Sequence, residues 1–476
     1  MKNFILKNHL ALILVAGFFV RLMFYFFGAE IYYGTENFFA RGDTDSWVEC
    51  IINLIEHGTY SVDLTEPAGV FFKPPAYSFF IGIFYLISGK NIDVAYQMII
   101  WAQIIMDTFS IWLIYKIVQR VFQNDLWAAI VAILYTTYPF LIIWTPVIYA
   151  ETTSIFFLLS GLWFFVNEKL KRNFFMSGLF IGIAALSRLQ IIFFFPATLL
   201  VLLFHYRKNL NAAVKIILPF TLAFILSYGL WPIRNYILHD RLVFSQDLTA
   251  VGCWDKDYMG FMDYVFAVQT DHEPEYSQIV HGGKNVEWPH AAYIVPGDSE
   301  KLVLVSKMCH DCGYGFNVFM KNEGLRKKRM PIDSSCSLEI ESLWNELKAN
   351  QLKYNKANFY LWVPLSNLKK CFFKNGLYKP SSPVVAVVSS LLFGYRTAMI
   401  LLGLLGLIFY WKVNRKFPLL FKLILSYFIL WYFWNSFMYR NMEMRFLLHA
   451  DILMLIPAAW MLVFLMEKFE HRIKPD

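Results

Sequence analysis

Charge is scarce in this chain. Asp, Glu, Lys and Arg make up 16% of its 476 residues, whereas 58% are apolar and 19% aromatic, a balance poorer in charge than that of an ordinary soluble domain. This composition excludes a soluble globular protein and points to a polytopic membrane protein. Cysteine is sparse as well, six in all, and no second Cys pair repeats the spacing of Cys309 and Cys312 as a four-cysteine zinc site would require. Internal repeats and low-complexity tracts are missing, which argues against a transporter built from two related halves. A net charge of +8 does not imply nucleic acid, because many Lys and Arg stand in short clusters between apolar runs, where orientation in a bilayer accounts for them.

What is abundant is apolar runs. Helices that cross the hydrocarbon need about 20 such residues, and the sequence predicts about ten spans, at 10–27, 93–117, 126–144, 149–166, 174–186, 191–204, 213–231, 395–411, 419–437 and 446–466. Arg21 interrupts the first span and no small-residue cleavage site follows it, so a retained anchor with a cytoplasmic amino terminus is expected. Lys116/Arg120, Lys169/Lys171/Arg172, Arg207/Lys208, Lys412/Arg415/Lys416 and Lys468/Arg472/Lys474 all fall on one predicted side, as the positive-inside bias requires. The opposite side receives a first outer loop at 28–92, a turn at 144–149 and a polar insert. The expected architecture is an all-α polytopic membrane protein with juxtamembrane helices in that loop. It divides into an N-terminal transmembrane catalytic region (1–233), an extracytoplasmic insert of mixed α/β or irregular structure (234–394) and a C-terminal transmembrane region (395–476).

Within the insert, residues 338–373 have helical spacing (Leu343, Trp344, Leu347, Leu352, Phe359, Leu361), which predicts a helix on the membrane surface. Five of the six cysteines lie there: Cys253, Cys309, Cys312, Cys336 and Cys371. In an oxidising compartment such as a bacterial periplasm a disulfide is favoured, with free thiols next. The unit Cys309-His310-Asp311-Cys312 could also bind zinc or exchange thiols.

The acids and cations near the membrane border suggest chemistry. Asp43 and Asp45 would diverge by about 200 degrees on a helix, so one reacts while the other supports; the bland alternative is a helix cap or solvated turn. A carboxylate suits glycosyl transfer because removing the acceptor's proton makes a neutral hydroxyl a competent nucleophile. Lys73 precedes Pro74 and Pro75 at headgroup depth, where a cation can meet a phosphate leaving group or ordinary lipid headgroups. Arg188, Arg234, Arg440 and Arg445 lie on the outer side against the usual bias and call for partners. Glu151, just inside a span, is costly unless paired or functional, and an arginine pair or a substrate role would each account for it.

These residues, taken in order, resemble the C-type glycosyltransferases, in particular the branch using lipid-phosphate sugars that includes protein O-mannosyltransferases and the lipid A aminoarabinose transferase. Asp43, Trp47, Gly58-Thr59-Tyr60 and Lys73-Pro74-Pro75-Ala76-Tyr77 are similar to that family's first outer loop. Tyr149-Ala150-Glu151, Ser187-Arg188, Trp231-Pro232-Ile233-Arg234-Asn235-Tyr236 and Arg445-Phe446-Leu447-Leu448-His449 are similar to its later landmarks, while the insert matches nothing in it. The resemblance implies Asp43 as catalytic base, Lys73 as donor-phosphate ligand with Arg234 and Arg445, and Glu151, Tyr77 and Arg188 as further site residues. Here Asp43 is followed by Thr44 where the family often has Glu, and Glu151 stands where Asp is common, so Asp45 stays a candidate for the reacting acid.

The function expected is transfer of a hexose or pentose from a polyprenyl-phosphate donor to a glycan, lipid or protein acceptor, with inversion, on the outer face of a bacterial inner membrane. No cofactor is required for this chemistry, although Asp43 and Glu151 could hold a divalent metal. Membrane lipid is an expected partner and nucleic acid is not. A flippase or transporter of lipid-linked glycans, or a noncatalytic assembly protein, are the alternatives; labelled-sugar transfer separates them.

Overall fold

The computed structural model describes residues 2–167, 171–248, 255–268, 286–315, 333–375, 383–440 and 443–473. Among them every regular element is helical. Among the described residues six helices are long and apolar enough to cross a membrane, within Asn8–Tyr33, Ile92–Phe122, Leu210–Tyr228, Pro383–Asn414, Leu419–Tyr439 and Met444–Phe469, and shorter apolar helices accompany them. All ten predicted spans fall on these helices. The span predicted at 126–144 breaks into α6 (Asp125–Thr136) and the single turn α7 (Pro139–Ile142), because Pro139 lacks the N–H that a continuous helix needs.

The chain begins with α1 (Lys2–Met23) and α2 (Ala29–Tyr33), joined by a π-turn. Two helices of the first loop follow: α3 (Thr44–His57), which ends where Gly58 turns left-handed (φ 75°), and α4 (Pro75–Ile87), whose first turn holds proline at the position that tolerates it. The helices expected in the first outer loop are therefore present. The long α5 (Ile92–Phe122) starts where the Asn91 side chain accepts the N–H groups of Asp93 and Val94. Then come α8 (Glu151–Phe165), α9 (Lys171–Ser187), α10 (Phe194–His205), α11 (Leu210–Tyr228) and α12 (Leu230–His239). At Gly178, on α9, a Cβ would lie 2.1 Å from the Phe220 carbonyl oxygen of α11, so the missing side chain lets the two backbones touch.

Buried ion pairs lock the bundle. Arg21 of α1 holds Asp107 of α5 at 2.7 Å and also donates to the Thr136 carbonyl, which accounts for a charge inside the first span. In the C-terminal part, made of α17 (Pro383–Asn414), α18 (Leu419–Phe433) and α19 (Met444–Ile473), Arg396 meets Asp451 at 2.7 Å with the Tyr432 hydroxyl donating to the same acid.

The described part of the insert comprises α13 (Lys256–Val268), α14 (Asp298–Cys312), α15 (Ser334–Tyr354) and α16 (Val363–Phe373), the last two separated by a π-turn at Asn358–Trp362. No strand occurs among the described residues, so the α/β alternative for the insert gives way to helices. The spacing at 338–373 does mark helices, but its first half faces protein. Ile340, Trp344 and Leu347 are buried in the insert's own core against Tyr258, Phe261 and Trp288. The later stretch leaves the consecutive residues Tyr360, Leu361 and Trp362 exposed, while Leu338 and Tyr354 are exposed singly in the first half. A disulfide joins Cys312 to Cys336 and so ties α14 to α15, while Cys309 is a buried free thiol and Cys371, also buried, accepts from the Asn435 amide. Cys253 lies outside the described residues.

Candidate active site

The site forms at the N-terminus of α3. Gly42 precedes it in a left-handed conformation (φ 42°), and a Cβ there would stand 2.8 Å from the Tyr149 hydroxyl; only glycine lets the chain pass this close. The backbone N–H of Asp43 donates to that hydroxyl at 3.3 Å. Behind Tyr149, Gln103 of α5 donates to the carbonyls of Thr145 and Val147, both at 2.8 Å, and accepts from Tyr77. One buried amide thus joins the two segments that flank Asp43.

The Asp43 carboxylate lies between two cations. Lys73 Nζ is 3.2 Å from Oδ1 and Arg445 Nη1 is 2.8 Å from Oδ2. Lys73 is buried, with its ammonium 5.1 Å from the Trp47 ring and 4.9 Å from the Phe72 ring. The negative faces of these rings and the carboxylate together replace the water that this cation has lost. Arg445 is fixed on its other side by Glu443, whose Oε2 accepts from Nε. Burial alone would raise the Asp43 carboxyl; Lys73, then Arg445 and Arg188, outweigh it and hold the group well below the usual carboxylate range. Burial likewise lowers the Lys73 ammonium, with Asp43 opposing.

Other predicted residues take separate places. Arg188 pairs with Glu151, which is 1% exposed at the start of α8, so the acid inside the span has an arginine partner. Tyr77 is buried edge-on against Trp47 at 5.5 Å with its hydroxyl on Gln103, and so supports the wall of the site. Asp45, two positions beyond Asp43, is exposed on the first turn of α3. Arg234 is not among the cations on Asp43: its guanidinium donates to the carbonyls of Val70 and Tyr60 and lies 5.7 Å from the Tyr60 ring. No carboxylate lies within ion-pair distance of it among the described residues. Arg440 bolts the insert to the bundle by donating to the carbonyls of Phe266 and Phe359.

Arg234 stands in a cavity of about 930 Å³ walled by α3, α4, α9, α11 and α12, with Phe79, Ile83, Leu186, Leu226 and Leu230 among its apolar lining. Phe79, Ile83, Leu226 and Leu230 are also exposed on the flank of the bundle. Tyr60 lines this cavity too, and its hydroxyl donates to the Lys73 carbonyl at 3.0 Å, so the cavity wall is bonded to the backbone of the residue whose ammonium meets Asp43. Sequence reasoning missed Glu443, Gln103 and the contact to Tyr149. An acid two residues from Arg445 was a visible signal for the first; nothing local marked the other two.

Comparison with known proteins gives a partial match. A search of curated proteins finds none. Among solved structures, the oligosaccharyltransferase AglB from Archaeoglobus fulgidus, in complex with an inhibitory peptide and a dolichol-phosphate, overlaps at TM-score 0.48 and 14% identity, covering 99% of this chain and 52% of that one. ArnT from Cupriavidus metallidurans, bound to undecaprenyl phosphate, overlaps at TM-score 0.39 and 10% identity, covering 95% of this chain and 78% of that one. The chain spans about half the length of the archaeal structures it matches, and overlaps this loose fix neither activity nor substrate. Residues 72–231, which include Lys73, Glu151 and Arg188, match the family described as dolichyl-phosphate-mannose-protein mannosyltransferase, and the chain resembles the C-type glycosyltransferase superfamily.

Proposed function

We propose that this protein is a membrane glycosyltransferase that moves a sugar from a polyprenyl-phosphate donor to an acceptor on the extracytoplasmic side. One observation carries the reading: a carboxylate is held by Lys73 and Arg445, and the Lys73 backbone is bonded to Tyr60, which lines an apolar cavity on the flank of the bundle. An acid in contact with two cations is what transfer from a lipid phosphate needs, because a proton must be accepted where a phosphate departs.

In this account the isoprenoid chain enters the cavity from the lipid, and Arg234, which has no acidic partner among the described residues, draws its phosphate inward. The acceptor hydroxyl attacks the anomeric carbon from the aqueous side. A new carbon–oxygen bond forms as the bond to the phosphate oxygen breaks; the electron pair leaves with polyprenyl phosphate and the proton passes to Asp43. Attack opposite the leaving group inverts the anomeric carbon. Asp43 rather than Asp45 is the base in this account, since Asp43 is the acid in contact with Lys73 and Arg445. Glu151 and Arg188 neutralise each other behind the site, and Tyr77 supports its wall.

No cofactor is needed, because Lys73 and Arg445 already stand where the leaving charge grows. The site is read as opening to the periplasm or exterior of a bacterial inner membrane, with residues 1–233 and 395–476 forming the catalytic membrane part and 234–394 an acceptor-side insert. Purified protein in liposomes, given polyprenyl-phosphate sugars labelled in the sugar, is expected to pass label to an acceptor. Movement of intact labelled lipid between leaflets without transfer would instead support a flippase.

A further inference from the structure

The contact between Asp43 and its cations carries a consequence for the order of events. Lys73 and Arg445 are the groups assigned to the departing phosphate, yet each already touches one oxygen of the Asp43 carboxylate. Both cations have fixed supports. Lys73 is held between the Trp47 and Phe72 rings, and Arg445 is held by Glu443 and lies 5.5 Å from the Tyr149 ring. Of these three groups the Asp43 side chain is the most exposed, at 26% against 8% for Lys73 and 19% for Arg445. Its backbone, by contrast, is tied to Tyr149 through its N–H. A carboxylate and a phosphate both present two anionic oxygens on one centre, so the same pair of donors suits either.

Resting on the glycosyltransferase reading above, we infer that the seat between Lys73 Nζ and Arg445 Nη1 is the donor-phosphate seat, filled by the Asp43 carboxylate until a polyprenyl phosphate displaces it. The phosphate takes over the two cations, and the Asp43 side chain swings out about its anchored backbone toward the acceptor. One property follows. The donor must be seated before the acceptor's proton is taken, because only a displaced carboxylate accepts it readily. The clamped carboxylate is a feeble base, since both cations favour its charged form. Displacement removes that clamp and restores an ordinary carboxylate.

The test is binding of polyprenyl phosphate, without sugar, to the full chain in nanodiscs of zwitterionic lipid. Asp43→Asn and Asp43→Ala empty the seat of its competing charge, so both variants should bind the lipid phosphate about tenfold more tightly than wild type, the change expected from one charge-assisted bond. Adding Lys73→Met to either should abolish the gain. Two substitutions of different size guard against one failing to fold, and a thermal melt on each preparation verifies it. Equal or weaker binding by folded Asp43 variants, with wild type still binding, overturns the shared seat and leaves the glycosyltransferase reading standing. No binding of polyprenyl phosphate by any form overturns both.

Discussion

Replacing Lys73 by Met removes its charge while keeping most of its stem between Trp47 and Phe72. Two effects should follow, with separate readouts. The first is on the leaving group. Lys73 is about one-twelfth exposed, with 8% of its side chain accessible, so solvent screens it weakly. Loss of one preorganised stabiliser of developing charge costs roughly 10²-fold to 10³-fold in turnover. The second effect is on the base. Asp43 must be ionised to accept the proton, so activity is lost as pH falls through its pKa. In wild type Lys73 and Arg445 hold that pKa below the carboxylate range, and kcat/KM for the donor should stay flat down to below about pH 4. With Lys73→Met one clamp is gone while Arg445 stays, the pKa rises, and the acid limb should move to higher pH. The assay is transfer of labelled sugar from polyprenyl phosphate by purified protein across a pH series. Turnover within about threefold of wild type, with an unmoved acid limb, would refute the reasoning, because a charge worth so little cannot serve the departing phosphate.

Other perturbations probe different links. Glu151→Gln leaves Arg188 buried without its counter-charge and should cost about 3 kcal/mol of stability in a thermal or denaturant melt; the double change with Arg188→Met should recover much of that loss, and an unaltered melt for the single variant would contradict the pairing. Dialysis against a chelator should leave sugar transfer unchanged, whereas loss of activity restored by a divalent ion would show that Asp43 and Glu151 serve a metal. Reduction of Cys312–Cys336, whose residues are 24 apart in sequence, should cost the insert about 3 kcal/mol, seen as an earlier transition in the fluorescence of Trp288 and Trp344 while the membrane bundle melts as before.

Much of the fold was legible because apolar length is a local property. The ten predicted spans fall on helices, and Glu151 was identifiable as a charge that needed a partner, whereas the Arg21–Asp107 pair emerged only with the packing of α1 on α5. The break at Pro139 and the helical insert were less legible. A proline can end a helix or kink it, and the periodic residues Trp344 and Leu347 would look the same whether they faced lipid or protein. In the site, motif order put Asp43 beside Lys73 in the reader's view, yet the contact of Arg445 with Asp43 spans 402 positions, and no local signal encodes such a meeting. Arg234 shows the opposite case. It reads as a second phosphate ligand at the base, whereas the packing of α12 places it in the neighbouring cavity, donating to the carbonyls of Val70 and Tyr60. The Gln103 amide is likewise invisible in sequence, since an isolated polar residue in a span signals burial without saying what it joins.

The central claim is that the Asp43 carboxylate accepts the acceptor's proton. Its most direct test compares Asp43→Asn with Asp45→Asn in the same sugar-transfer assay, each shown by thermal melt to be folded and inserted. Asp43→Asn should reduce turnover at least about 10²-fold, the usual loss of a general base, with Asp45→Asn close to wild type. Full turnover by Asp43→Asn, or collapse only in Asp45→Asn, would contradict the account.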